Sequence, residues 1–161
     1  MSSINNKHLA ATLLLAAAAL TNLTAHASDD FNIYSPYVTA GQSEVEIRGH
    51  QTTDSDPALQ GERAYEISIA HAFTSWWRPE VYLGMYERQP GSANTYVGHE
   101  FENVFQLTDA GEYWADFGFL ASYEYKSQPG DVSTLEFGPL FEKQTGHIRQ
   151  RLNFIDRKSV V

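Results

Sequence analysis

The sequence predicts an all-β fold, an antiparallel up-and-down meander of seven strands that follows a helical signal peptide. Two observations lead to this prediction. Apolar and polar side chains alternate along most of the chain after residue 27, and short turn-forming stretches separate the alternating runs. Successive side chains of a strand point to opposite faces, so alternation is typical of a strand with one apolar face. No link is long enough for a crossover helix, which favours antiparallel pairing of neighbours.

The first 27 residues have the three parts of a secretory signal peptide. Lys7 and His8 precede an apolar run over Leu9–Leu20, and a small polar stretch ends at Ala25-His26-Ala27. A charged start, a short apolar core and an A-x-A end match such a signal. About 12 apolar residues are too few for a helix to cross a bilayer core of roughly 30 Å. We therefore expect export with cleavage after Ala27, and a β-domain over 28–154.

The mature chain divides into alternating runs, of which Tyr113–Lys126 is the clearest. There Phe117 and Phe119 share one parity, and Asp116 and Glu124 share the other. The remaining predicted strands are Ser43–Gln51, Arg63–Phe73, Pro79–Arg88, Thr95–Leu107, Ser133–Lys143 and His147–Phe154. Phe31–Val38 is either a short extra strand or an N-terminal lead, and Pro36 disfavours the strand.

On the third predicted strand, the alternation places Val81, Leu83 and Met85 on the apolar face and Tyr86 on the other face. Turn-forming residues separate the strands at Asp54–Pro57, Gln89–Ser92, Asp109–Gly111, Gln128–Asp131 and Thr145-Gly146. If the first strand runs from the periplasm to the cell exterior, the links 52–62, 89–94 and 127–132 all lie at the external rim. On average they are longer than the links at the periplasmic rim. Outer-membrane barrels show the same asymmetry between external loops and periplasmic turns.

Aromatic residues gather at both ends of the predicted strands, as in the interfacial girdles of membrane barrels. The predicted membrane-interface residues are Trp76, Trp77, Tyr113 and Trp114 at one rim, and Tyr86, Tyr96 and Tyr125 at the other. The opposite parity is charged and would line a water-filled lumen. The predicted lumen-lining residues are Glu46, Arg48, Glu66, Glu100, Glu102, Asp116, Glu124, Glu136, Arg149 and Arg151. An acidic lumen would suit cations or neutral solutes.

Composition and motif spacing restrict the function. A formal charge of −9 disfavours a nucleic-acid partner, and the absence of cysteine excludes disulfides. The four mature histidines, His50, His71, His99 and His147, show no metal-ligand spacing. No G-x-S-x-G or phosphate-binding loop occurs. We predict no catalytic residue, no cofactor, no metal and no enzymatic activity.

Two runs of the sequence resemble a family of uncharacterised proteobacterial outer-membrane β-barrel proteins. They are Glu46–His50 (EIRGH) with Asp54–Leu59 (DSDPAL), and Glu102–Leu120 (ENVFQLTDAGEYWADFGFL). The resemblance spans much of 31–154 and implies a barrel in the outer membrane of a Gram-negative envelope. It also implies outer-membrane lipid and the barrel assembly machinery as partners, and it says little about activity or solute.

The last residues predict a shortened member of that family. The family pattern continues for more strands, and bacterial single-chain barrels have an even number of strands. Asp156–Val161 also resembles the translated read-through of a common sequencing adapter. We therefore predict that 155–161 is an artefactual tail and that 28–154 is an incomplete β-barrel domain of about seven strands. A genuine basic tail is the alternative.

Alternation alone leaves other functions open, because a β-sandwich also buries one face of each strand. The sequence predicts a porin-like, transport-associated or structural barrel protein of the outer membrane. The alternative is a soluble exported β-sandwich or lipocalin-like binding protein in the periplasm. A third is an outer-membrane enzyme such as a lipid-modifying hydrolase.

Overall fold

A computed structural model describes residues Asn32–Val160, so the predicted signal peptide lies outside the described residues. The described chain is all-β, as predicted. The strands are β1 (Ser43–Gln51), β2 (Arg63–His71), β3 (Trp77–Arg88), β4 (Thr95–Gln106), β5 (Asp116–Lys126), β6 (Ser133–Thr145), β7 (Ile148–Asn153) and β8 (Asp156–Val160).

The strands form one antiparallel meander that curls into a half-barrel sheet. Each strand from β1 to β6 pairs with the next one along the chain, and β8 pairs with β6 beside β7. All seven predicted strands are present, with shifted ends. The fifth begins at Asp116, for example, because Tyr113–Ala115 belong to the preceding turn.

β7 and β8 lie one after the other along the same edge of β6. β7 pairs with Leu140–Thr145, and β8 pairs with Ser133–Phe137. The ladder breaks opposite Gly138, where a Cβ atom would lie 1.8 Å from the Phe154 carbonyl oxygen. The absence of a side chain at Gly138 therefore allows the partner backbone to come this close.

A β-bulge in β3 reverses the predicted parity at the end of that strand. Ile67 lies opposite Gly84 and Ser68 opposite Tyr82, so Leu83 is an extra residue relative to β2. Beyond the bulge Met85 is opposite Glu66, and Tyr86 is opposite Tyr65. The predicted placement of Met85 on the apolar face is therefore wrong, because an extra residue exchanges the two faces of a strand.

The two faces of the sheet have an inverted distribution of polarity. We call the face that carries Glu80, Glu102 and Leu120 the inner face, and the face that carries Ile69, Phe101 and Tyr123 the outer face. Glu80 and Glu102 are only 5% and 1% exposed, whereas Ile69, Phe101 and Tyr123 are 45–47% exposed. Buried carboxylates and exposed apolar side chains reverse the usual order of a soluble domain.

Candidate functional site

The candidate site is the inner face, where adjacent strands align polar side chains into rows. One row crosses the sheet through Glu80, Glu102, Ser122 and Glu136, which are successive cross-strand partners. A neighbouring row runs through Tyr82, Glu100, Glu124 and Thr134. Like charges that lie directly opposite each other repel, so these rows need cations, hydrogen-bond donors or water beside them.

Two arginines on the first three strands supply part of the compensating charge. The Arg48 guanidinium lies 2.9 Å from Glu66 and 3.4 Å from Glu46, and it also donates to the Tyr82 hydroxyl. Arg78 bridges the strands, at 3.1 Å from Glu44 and 3.6 Å from Glu80.

Hydroxyls and further cations complete these rows. The Ser68 hydroxyl donates to Glu80 at 2.5 Å, and the Thr134 hydroxyl donates to Glu124 at 3.0 Å. The remaining ion pairs of the two rows are Lys126 with Glu124 and Arg157 with Glu136. Ion pairs or hydroxyl groups thus stabilise Glu80, Glu124 and Glu136, and the interior of an outer-membrane barrel is polar in the same way.

A third cluster lies where β6 turns into β7. The side chain of Glu142 is fully buried and accepts from Arg151 at 2.7 Å, while Arg149 lies 3.0 Å from its other oxygen. Asp116 is the cross-strand partner of Glu142 and is 5% exposed. Two guanidiniums therefore offset the charge of Glu142.

The N-terminal segment crosses the inner face without joining the sheet. We call Ile33–Thr39 the inner strap. The Val38 amide donates to the Gln106 side chain at 2.7 Å, and the Ser35 hydroxyl donates to Glu142 at 2.9 Å. The Tyr34 amide donates to Asn153 at 2.8 Å. These bonds attach the strap to three different strands. The described part of the predicted segment Phe31–Val38 is therefore an N-terminal lead and not a strand.

Apolar contacts also hold the strap against the inner face. Val38 packs with Ala72, Val104, Leu120 and Leu140 in the buried cluster of the inner face. Pro36 is buried and lies against Gly118, where a Cβ atom would be 2.7 Å from the Pro36 Cβ. Gly118 therefore provides the space into which the strap fits.

Tyr37 anchors the strap electrostatically. Its hydroxyl donates to Asp116, whose other oxygen accepts from the Gly111 amide at 2.6 Å. Burial, the hydrogen bond to Asp116 and the charge of that carboxylate raise the pKa of Tyr37 to about 12. The phenol therefore remains a donor throughout the neutral pH range.

The outer face carries aromatic belts near both ends of the strands. At the rim where β3 and β5 begin, ring pairs include Trp76 with Phe105 at 6.3 Å, Trp114 with Phe117 at 6.0 Å and Phe117 with Phe141 at 5.2 Å. At the other rim, ring pairs are Tyr65 with Tyr86 at 5.1 Å, Tyr86 with Tyr96 at 5.7 Å and His99 with Tyr125 at 5.0 Å. Exposed aliphatic residues such as Ile69 and Val81 lie between the belts.

The sequence-predicted site residues fall into these two groups. The ten predicted lumen-lining residues lie on the inner face, and the predicted interface aromatics lie on the outer face or in the turns before β3 and β5. The inner strap was missed as part of the site, because it has no periodicity and its partners lie more than 60 residues away. Its one sequence signal is the tyrosine pair Tyr34 and Tyr37 beside Pro36.

Among the described residues, no group of three or more histidine, aspartate or glutamate side chains is arranged to hold a metal ion. Within the same part of the chain, no helix has the length and apolar character needed to cross a membrane. Comparison with family models, curated proteins and solved structures finds no match to this chain.

Proposed function

We propose that this chain forms part of a membrane-embedded β-barrel of the outer membrane, with a porin-like, transport-associated or structural role. The observation that carries the proposal is the inverted polarity of the sheet. Val45 and Ile47 on the outer face are 70% and 73% exposed, whereas Glu102 and Glu142 on the inner face are 1% exposed. Transmembrane β-barrels have this apolar-out, polar-in alternation.

Burial energetics favour a membrane over water as the surroundings of the outer face. Each large aliphatic side chain left in water forgoes roughly 1.5–3 kcal/mol of burial free energy. A soluble β-sandwich recovers this energy with a second sheet, and a lipocalin-like barrel recovers it by turning its apolar face inward. The described residues form a single sheet whose buried face is the charged one.

The separation of the aromatic belts agrees with a bilayer. Trp77 belongs to one belt and Tyr86 to the other, nine residues further along β3. At about 3.3 Å per residue this is about 30 Å along the strand. A barrel strand tilted by about 40° would span about 23 Å of membrane thickness, close to the apolar band of about 25 Å in outer-membrane barrels.

The inner face supports a role in solute passage. Its rows of glutamates would disfavour anions and admit cations or neutral solutes, while the inner strap would narrow the lumen near one rim. In this proposal outer-membrane lipid covers the outer face, and the barrel assembly machinery inserts the chain. The predicted signal peptide is consistent with that export route.

Cell fractionation combined with gel mobility tests the proposal. We expect the full chain to be recovered with outer membranes and to migrate differently before and after boiling, because membrane barrels resist unfolding by detergent at room temperature. Recovery in the soluble periplasmic fraction after osmotic shock, without a mobility shift, would reject the membrane assignment in favour of a soluble binding protein.

A further inference from the structure

An apolar cleft opens on the outer face where β6 and β7 meet the turn before β5. Its volume is about 330 Å³, and its lining includes Trp114, Phe141, Leu152 and Phe154. Trp114, Leu152 and Phe154 are 71%, 55% and 58% exposed. The cleft therefore offers a partly open recess with mainly apolar walls, which suits a hydrocarbon chain.

Two cations, Lys143 and Arg151, line the cleft, and Lys143 lies beside Trp114. The Lys143 ammonium lies 5.7 Å from the centre of the Trp114 ring, and its side chain is exposed. Gln150, the cross-strand partner of Lys143, lines the same cleft. An exposed ammonium over a ring that lines the cleft is well placed to meet the headgroup of a lipid whose acyl chain occupies the cleft.

The charged residues that line the cleft are Glu142, Arg151 and Lys143, and the first two form an ion pair with each other. The lining therefore has a formal charge of +1, which comes from Lys143, in a chain whose formal charge is −9. The neighbouring Glu142 has a fully buried side chain and pairs on the inner face with Arg149 and Arg151. Glu112, in the turn before β5, accepts from the Asp109 amide of the same turn.

We propose that this cleft binds a phospholipid with an anionic headgroup, such as phosphatidylglycerol. One acyl chain lies against Phe141 and Leu152, and the phosphate meets the Lys143 ammonium beside Trp114. The inference rests on the proposed function, since it assumes that a bilayer surrounds the outer face. One lysine next to an anionic lipid enriches that lipid about five-fold.

Quenching of Trp114 fluorescence by brominated lipids tests the proposal. The full chain, with Trp76→Phe and Trp77→Phe so that Trp114 is the single indole, is refolded into phosphatidylcholine vesicles that contain a minority of phosphatidylglycerol. Bromine is placed on the acyl chains of either lipid in separate samples. We expect phosphatidylglycerol to be enriched about five-fold near Trp114, and the enrichment to vanish with Lys143→Gln. It should persist with Arg63→Gln, which removes a charge at the opposite rim.

The possible outcomes separate this inference from the proposed function. Equal quenching by both brominated lipids overturns the lipid site and leaves the membrane assignment intact. An absence of quenching by either lipid overturns both. If the double tryptophan variant does not fold, native mass spectrometry of the otherwise unchanged chain with equal amounts of the two lipids gives the answer. Preferential phosphatidylglycerol adducts that disappear with Lys143→Gln are expected, and equal adducts overturn the site.

Discussion

Tyr37 shows how a single side chain couples the inner strap to the sheet. Its hydroxyl donates to Asp116, a carboxylate that is 5% exposed and also accepts from the Gly111 backbone. A hydrogen bond to a charged acceptor contributes more than one between neutral groups. Removing the hydroxyl would leave one oxygen of a buried carboxylate without this donor.

We predict that Tyr37→Phe lowers the free energy of unfolding by about 2 kcal/mol at neutral pH, a typical value for a hydrogen bond to a charged group. The pKa of Tyr37 is raised from 10.0 to about 12. A raised pKa adds stability that is complete below pH 10 and is lost as the pH rises through 12. The difference between the two proteins should therefore shrink between these values.

Urea unfolding of both proteins in lipid vesicles at neutral pH and at several values above pH 10 measures this difference. Tyr113→Phe is a matched control, because Tyr113 is 57% exposed; we expect its effect to stay within about 0.5 kcal/mol. A Tyr37→Phe difference that is constant with pH would contradict the assigned role of this hydroxyl.

A substitution at Ile69 tests whether the outer face contacts lipid. It is 47% exposed and lies opposite Val81, between the two aromatic belts. We predict that Ile69→Arg destabilises the protein in a bilayer by about 2–4 kcal/mol, the cost of arginine near the midplane of a membrane barrel. Leu59→Arg, in the loop between β1 and β2, should change stability by less than about 0.5 kcal/mol. Equal small effects in the two variants would indicate that Ile69 faces water.

Among the elements, the inner strap is the one that sequence patterns could not place. Strand alternation predicts which residues share a face, but the strap makes no ladder bonds and is held by side chains from β4, β6 and β7. Such contacts depend on the curvature of the sheet, which periodicity does not encode. The β3 bulge could not be predicted from the sequence either. Leu83 and Gly84 fit the alternating pattern, and the extra residue is visible only in the pairing of β3 with β2.

The strap should be displaced by filling the space at Gly118. A Cβ atom there would lie 2.7 Å from the Pro36 Cβ and 2.9 Å from the Phe105 carbonyl oxygen. We predict that Gly118→Val forces Pro36 away and exposes Val38, which is 8% exposed in the intact protein. The chain has no cysteine, so Val38→Cys gives one reporter thiol for a water-soluble maleimide.

We expect slow labelling of Val38→Cys alone and at least about ten-fold faster labelling when Gly118→Val is added, which corresponds to about 1.4 kcal/mol of strap opening. Ala121→Val, on the outer face of the same strand, should leave the labelling rate unchanged. Fast labelling of Val38→Cys without any second substitution would contradict the packing of the strap on the inner face.

At the scale of the whole molecule, the sequence predicted the features that depend on local alternation. The fold class, the order of the strands and the antiparallel meander follow from period-two patterning and short links, and the structure confirms them. The arrangement of Arg48 and Arg78 against particular glutamates was beyond prediction, since it depends on the register between strands. Function in the outer membrane remains a proposal that rests on the polarity of the two faces.

Solvent and lipid accessibility along β5 tests that polarity most directly. Nitroxide labels are placed one at a time on the cysteine-free chain at positions from Phe119 to Glu124, and the refolded protein is measured in vesicles with oxygen and with a water-soluble nickel complex. Labels at Phe119, Ala121 and Tyr123 should collide mainly with oxygen, which concentrates in hydrocarbon. Labels at Leu120, Ser122 and Glu124 should be shielded from lipid. Accessibility without a period of two, or with the nickel complex reaching Phe119, Ala121 and Tyr123 best, would contradict a lipid-facing outer surface.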